Sequence, residues 1–330
     1  MQSVCSASGS ATSTTTSEGD NMISSDDRMN TNMQAALDDP EVEHYLRKSL
    51  LAGYRNMGLP NADKLVDAIF AEFEKNPNRL IGETLEVIRN QISATWVNGG
   101  SVKDYWSQYY KDHEAPFITN QIISHVTGKR ILEIGTGRGW ISYHLAKALG
   151  PDVSITQTDV TDYREPSIRG APQFNFVQIS MDDPLPFEPN SFDTVIVVYV
   201  LHHHPDGAAR ESFLRKLSEV AKERLIIFED TYLKSPITPN FSEPQMDVMT
   251  DFLRLTEQQK INALSFQCSL SNRVDGGGAS VPTPCTFHDF DSLVRELKDA
   301  SGVKTVESHF LGIPRSKIYL NTEGVFIIQK

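Results

Sequence analysis

Apolar positions recur with a helical period from about residue 38 to 126. Leu65, Val66, Ile69, Phe70 and Phe73 stand three and four apart, and Leu85, Ile88, Ile92 and Trp96 repeat the pattern until Gly99-Gly100 breaks it. A further helix is predicted over 102–126, interrupted near Pro116. After Gly128 the pattern changes to an alternation of strands and helices, with candidate strands at 130–134, 153–158, 174–179, 193–199, 224–229, 303–310 and 317–328. Helical stripes lie between them at 208–222 (Phe213, Leu214, Leu217, Val220) and 291–300 (Leu293, Val294, Leu297). Such alternation predicts an α/β fold with a doubly wound sheet. The last two candidate strands are joined by a loop around Gly312-Ile313-Pro314.

Two stretches stand outside that alternation. Residues 1–33 are rich in Ser, Thr, Asn, Asp and Met and nearly lack bulky apolar residues, so they are expected to be a disordered tail. A transit peptide is the alternative, but residues 1–17 carry no arginine. Residues 231–285 form an insert far longer than a strand-to-helix connection requires. An insert leaving the sheet at its carboxyl rim passes over the ligand site, so it is expected to act as a lid. The chain thus divides into a tail (1–33), a helical N-terminal cap (34–127) and an α/β domain (128–330) carrying the lid insert 231–285.

Composition narrows the classes of partner. The formal net charge is −12 and basic residues are scattered, which argues against a nucleic-acid backbone or an anionic membrane surface. Cys5, Cys268 and Cys285 are widely spaced and make neither a disulfide framework nor a zinc pattern, which suits a cytoplasmic setting. No apolar run approaches the roughly 20 residues of a membrane helix.

The richest chemistry is Ile131-Leu-Glu-Ile-Gly-Thr-Gly-Arg-Gly139, a strand running through three alternating glycines into a helix. Such a turn lets a ligand approach bare backbone at a helix N-terminus. Trp140 stands where the dinucleotide fingerprint needs its third glycine. An acid, Asp159, ends the next strand twenty residues on. Then come Ser180-Met-Asp-Asp-Pro-Leu-Pro-Phe187, Tyr199-Val-Leu-His-His-His204 after the fourth strand, and Glu229-Asp230 after the fifth.

This set resembles the class I S-adenosylmethionine-dependent methyltransferases of the small-molecule type, closely over 128–230 and in outline over 286–330. The resemblance implies a seven-stranded, mostly parallel sheet with a C-terminal antiparallel hairpin and S-adenosyl-L-methionine as cofactor. It places Glu133, Gly135, Thr136, Gly137, Gly139 and Tyr199 around the cofactor, with Asp159 on the ribose hydroxyls. The adenine position falls on Met181 or, shifted by one, Asp182, with Asp183 as the neighbouring choice. It also implies that an aromatic from Tyr105-Trp-Ser-Gln-Tyr109-Tyr110 covers the cofactor. A small-molecule acceptor, expected to be a specialised metabolite, would sit on Tyr199, His202, Glu229 and Asp230, the last three being the candidate catalytic groups. No metal site is expected, because consecutive histidines do not share a face of a regular element. A homodimer is compatible with this reading. The rival readings are an NAD(P)-dependent oxidoreductase and a catalytically silent scaffold on the same fold.

Overall fold

A computed structural model describes residues 25–75, 77, 79–97, 100–180, 183–204, 207–234, 243–276, 283–303, 305–314 and 316–330. The helical region opens with α1 (Ser25–Leu37), α2 (Pro40–Asn56), α3 (Ala62–Lys75) and α4 (Ile81–Val87). The chain then continues through a π turn (Ile88–Ile92) to α5 (Val102–Tyr109), a second π turn (Tyr110–Glu114) and α6 (Ala115–Ile122). That second wide turn lies just before Pro116, which has no N–H to continue an α ladder; here is the interruption the sequence announces.

The sheet begins at β1 (Arg130–Ile134), followed by α7 (Trp140–Leu149), β2 (Ser154–Asp159), α8 (Pro166–Arg169), β3 (Phe174–Gln178) and β4 (Phe192–Val198). Next come α9 (Gly207–Val220), β5 (Ala221–Asp230), α10 (Glu243–Arg254), α11 (Glu257–Leu270), α12 (Phe290–Ser301), β6 (Glu307–Gly312) and β7 (Glu323–Gln329). The seven strands lie in the order β3-β2-β1-β4-β5-β7-β6. Those from β1 to β5 pair in parallel, and β7 runs antiparallel to both β5 and β6. The order reverses between β1 and β4, so the carboxyl ends of these two strands open the crevice where such folds take their ligands.

Among the described residues three apolar clusters hold the fold together. One covers a sheet face with α6 and α7, and a second covers the other face with α9 and α12. The third joins α1–α4 to α10, α11 and Ile318–Leu320. Helices α1–α4 of the cap and α10 and α11 of the insert therefore share one apolar core and form one helical body. Tyr45 donates to the Leu320 carbonyl at 2.6 Å, and a Cβ on Gly53 would stand 1.8 Å from the Ile318 carbonyl oxygen, so the C-terminal segment lies directly on α2. This docking shortens the final strand. The run expected over 317–328 pairs only from Glu323, because residues 318–320 are drawn off the sheet to fill the helical core.

The expected tail also ends earlier than residue 33. Met29, Met33 and Ala36 form a fully buried stripe on α1, and Asn32 donates to Ser265 on α11 at 3.1 Å. Averaged composition hides such a stripe, since two methionines supply most of it. The rest of the tail reading lies outside the described residues. A chain cut to begin at Thr31 is expected to lose about 2 kcal/mol or more through Met29 alone, the lower end of what a buried methionine contributes. Urea denaturation beside the full chain checks it.

Candidate active site

The glycine turn follows from local sterics. Gly135, Gly137 and Gly139 have φ of 70°, 51° and 83°, the left-handed region that only glycine enters freely. A Cβ on Gly135 would meet Val200 Cγ2 at 2.4 Å, and one on Gly139 would meet Gln157 Nε2 and Ile168 Cγ2 at 3.1 Å. At Gly137 it would meet no protein atom within 4 Å. The Gly137 N–H donates to Asp159 Oδ2 at 2.8 Å, which ties the turn to the end of β2. The Val160 N–H takes the other oxygen, also at 2.8 Å.

The turn opens into a cavity of about 610 Å³, bounded below by the ends of β1, β2, β4 and β5 and above by the helical body. Gly135, Thr136, Gly137, Asp159, Tyr199, His202 and Asp230 line it, as the sequence leads one to expect. Three expected residues do not. Glu133 is buried beneath the turn and accepts from Thr136 Oγ1 at 2.7 Å and from Ser142, so it buttresses the glycines. Burial pushes its carboxyl up to about 7. Gly139 gives packing room to Ile168. Glu229 lies under the floor, as described next. Met181 and Asp182 lie outside the described residues, whereas Ser180 and Asp183 line the cavity. From the aromatic segment Trp106 and Tyr110 reach it, stacked at 5.2 Å and 2°.

Glu229 acts through its neighbours. Its Oε2 accepts from the Leu201 N–H at 2.8 Å, while Oε1 accepts from the Asp230 N–H at 2.9 Å and meets His202 Nδ1 at 2.6 Å. Phe287 stacks on the same imidazole at 4.8 Å. Burial works against the imidazolium, yet the Glu229 carboxylate holds His202 above the ordinary histidine range.

Beside this pair lies a buried charge cluster whose centre, Lys317, the sequence reading missed. Its Nζ donates to Asp230 Oδ1 at 2.7 Å, to Tyr199 Oη at 3.1 Å and to Glu323. Burial opposes the ammonium, but Asp230, Glu323 and Glu114 together hold Lys317 above its usual range. Tyr199 donates to Glu323 and, although not glycine, has φ of 56°, a strained backbone at the rim of β4. Lys317 stands in a run of alternating polarity that reads as strand, and nothing local marks it as a site residue.

Glu114 completes the cluster, accepting from the Ile318 N–H at 3.1 Å, and burial pushes its carboxyl up to about 8. The folded chain then keeps this proton between the unperturbed value of 4.5 and about 8, where the unfolded chain has lost it. Stability from Glu114 is therefore full below the lower value and declines as pH rises to the upper one. Glu114→Gln, which cannot ionise, is expected to remove the decline. The difference between the two proteins should change by up to about 1.4 kcal/mol per pH unit across that window, seen in denaturation at stepped pH.

Comparison with known proteins adds sequence kinship to this geometry. Residues 131–224 match the family profile described as a methyltransferase domain. Methyltransferase str2 of Strobilurus tenacellus is 36% identical over 95 residues, 28% of this chain and 34% of its own. The ubiquinone biosynthesis O-methyltransferase of Paraburkholderia phymatum is 33% identical over 87 residues, 25% of this chain and 37% of its own. The matched stretch thus spans little more than a third of these curated relatives. Among solved structures, the pyocyanin biosynthetic protein PhzM shares the fold, with a TM-score of 0.51 at 13% identity, over 84% of this chain and 72% of its own.

Proposed function

We propose that this chain, which carries a class I S-adenosylmethionine-dependent methyltransferase domain, binds that cofactor in the cavity and methylates a small molecule held beneath the helical body. The observation that carries this reading is Gly137, a cavity-lining position where a Cβ would meet no protein atom within 4 Å. The turn is shaped to lay bare backbone against a ligand. The Asp159 carboxylate accepts the N–H groups of Gly137, Val160 and Thr161 and still keeps lone-pair capacity for a ribose hydroxyl. The cavity volume falls within the roughly 300–1,000 Å³ of small-molecule sites. When bound, the cofactor supplies a methyl group already activated on a sulfonium.

The protein's own work is to hold the acceptor in line and exclude water. Trp106 and Tyr110 roof the site, and Gln267, Cys268 and Ser271 bring the insert to its wall, which supports reading the insert as a lid. Glu229 holds His202 through Nδ1, so Nε2 is the nitrogen that takes the proton of a hydroxyl acceptor as transfer proceeds. Asp230 is committed to Lys317 and sets the polarity of the wall. An acceptor small enough to be enclosed, together with the acidic net charge, favours a metabolite over nucleic acid. Among the described residues no helix is long and apolar enough to cross a membrane.

Calorimetry with S-adenosylhomocysteine and with NAD(P), followed by a methyl-labelled donor in a metabolite extract, tests the reading. Binding of the first ligand alone excludes an oxidoreductase, and turnover excludes a silent scaffold. Asp159→Ala is expected to weaken cofactor binding by about 1.5–3 kcal/mol. His202→Ala is expected to slow turnover by roughly 10²–10⁴-fold with cofactor affinity intact. If instead His202→Ala turns over normally, proton transfer lies elsewhere and the assignment of this rim fails.

A further inference from the structure

His202, His203 and Cys268 are all buried, and each offers a donor atom within 4.8 Å of the other two. All three line the cavity. Two histidines in succession diverge when they stand on a strand, but β4 ends at Val198 and the chain tightens into a 3₁₀ turn over Leu201–His203. The turn brings the two rings to 4.2 Å, and α11 supplies the cysteine from above.

We propose that His202, His203 and Cys268 bind a zinc ion, with its fourth position open to the cavity. Two imidazoles and a thiolate are a donor set suited to zinc, and three protein ligands leave one place for solvent or ligand. Around a tetrahedral zinc, bonds of about 2.0–2.3 Å set neighbouring donors roughly 3.3–3.7 Å apart. The three donors lie within 4.8 Å of one another, so zinc has to draw them together over the remaining distance. The outer shell is already built. Glu229 meets His202 Nδ1 at 2.6 Å and is itself fixed by the Leu201 and Asp230 N–H groups, which presents Nε2 to the ion. A carboxylate behind a histidine is the usual partner that orients a metal ligand.

One consequence rests on the methyltransferase reading. Nε2 of His202 cannot both hold zinc and take the acceptor's proton, so zinc is expected to inhibit transfer to oxygen.

The chain, kept reduced and stripped with a chelator, is dialysed against zinc chloride and separately against cobalt(II). One zinc per chain, a higher melting temperature with zinc and a cobalt–thiolate charge-transfer band are expected. Cys268→Ser is expected to lose the band and the thermal shift. It and His203→Gln should each weaken zinc binding by more than the roughly 10–100-fold that loss of an outer-shell partner costs. Melting of Cys268→Ser without metal shows whether it is folded. His309→Gln, which removes a donor from the exposed His125–Glu307–His309 group, should change none of these. Sub-stoichiometric binding, or a band that survives Cys268→Ser in a folded variant, overturns the site. Zinc binding without effect on transfer leaves the site standing and overturns the proton role of His202. These metal readouts do not depend on any methyl transfer.

Discussion

Gly137→Val is expected to abolish S-adenosylhomocysteine binding, with a loss of at least about 100-fold, while the chain stays folded. The three glycines of the turn separate these two outcomes. At Gly135 a side chain would collide with Val200, and at Gly139 it would press on Gln157 and Ile168, so substitution there strains the protein. At Gly137 no protein atom stands within 4 Å, and the side chain would take the space assigned to the cofactor. The backbone cost of a non-glycine residue at φ of 51° is about 1–2 kcal/mol, small beside the stability of a domain. Calorimetric titration and thermal melting on the same preparation read both quantities. Unchanged affinity in a folded variant would remove the cofactor from this turn.

Lys317→Met should have the largest effect on stability, a loss of about 3–5 kcal/mol, because breaking a buried ion cluster strands its partners. Asp230 and Glu323 would share the site with Glu114 and no cation. Adding Glu323→Gln to Lys317→Met should restore part of the loss, since a neutral amide needs no counter-charge there. Urea denaturation of the single and double variants is the measurement. A single variant as stable as the parent chain would mean that solvent reaches these carboxylates.

The α/β half of the fold is legible because candidate strands and helices alternate at short spacing, and β1, β4 and β5 at the centre of the sheet carry largely apolar stretches. The glycine turn and Asp159 are equally local, so their place follows from neighbours in sequence. What escaped is whatever long-range packing decides. Ile318–Leu320 carries a strand-like pattern, yet the apolar faces of α2 and α11 compete for the same residues and win. Lys317 is carried with it into the cavity, far from any motif. Glu229 shows the converse. Its position at the end of β5 was read rightly, but only the geometry reveals that both oxygens are spent on Leu201, His202 and Asp230. Met29 and Met33 were lost to averaging, as a buried stripe inside a polar composition.

The shared core of the helical body also sets an order of events during synthesis. Asn32 bonds a residue 233 positions later, and Tyr45 bonds one 275 positions later. At about 5–20 residues per second, α2 waits roughly 14–55 s on the ribosome before Leu320 is made. Through much of that interval the apolar stripes of α1–α3 have only one another and α4 as native partners, until α10 and α11 follow, while β1–β5 can already assemble behind them. The nascent chain is therefore expected to engage holding chaperones through its first hundred residues. Release would wait for the segment around Lys317, so the cavity is completed only once that segment has been made.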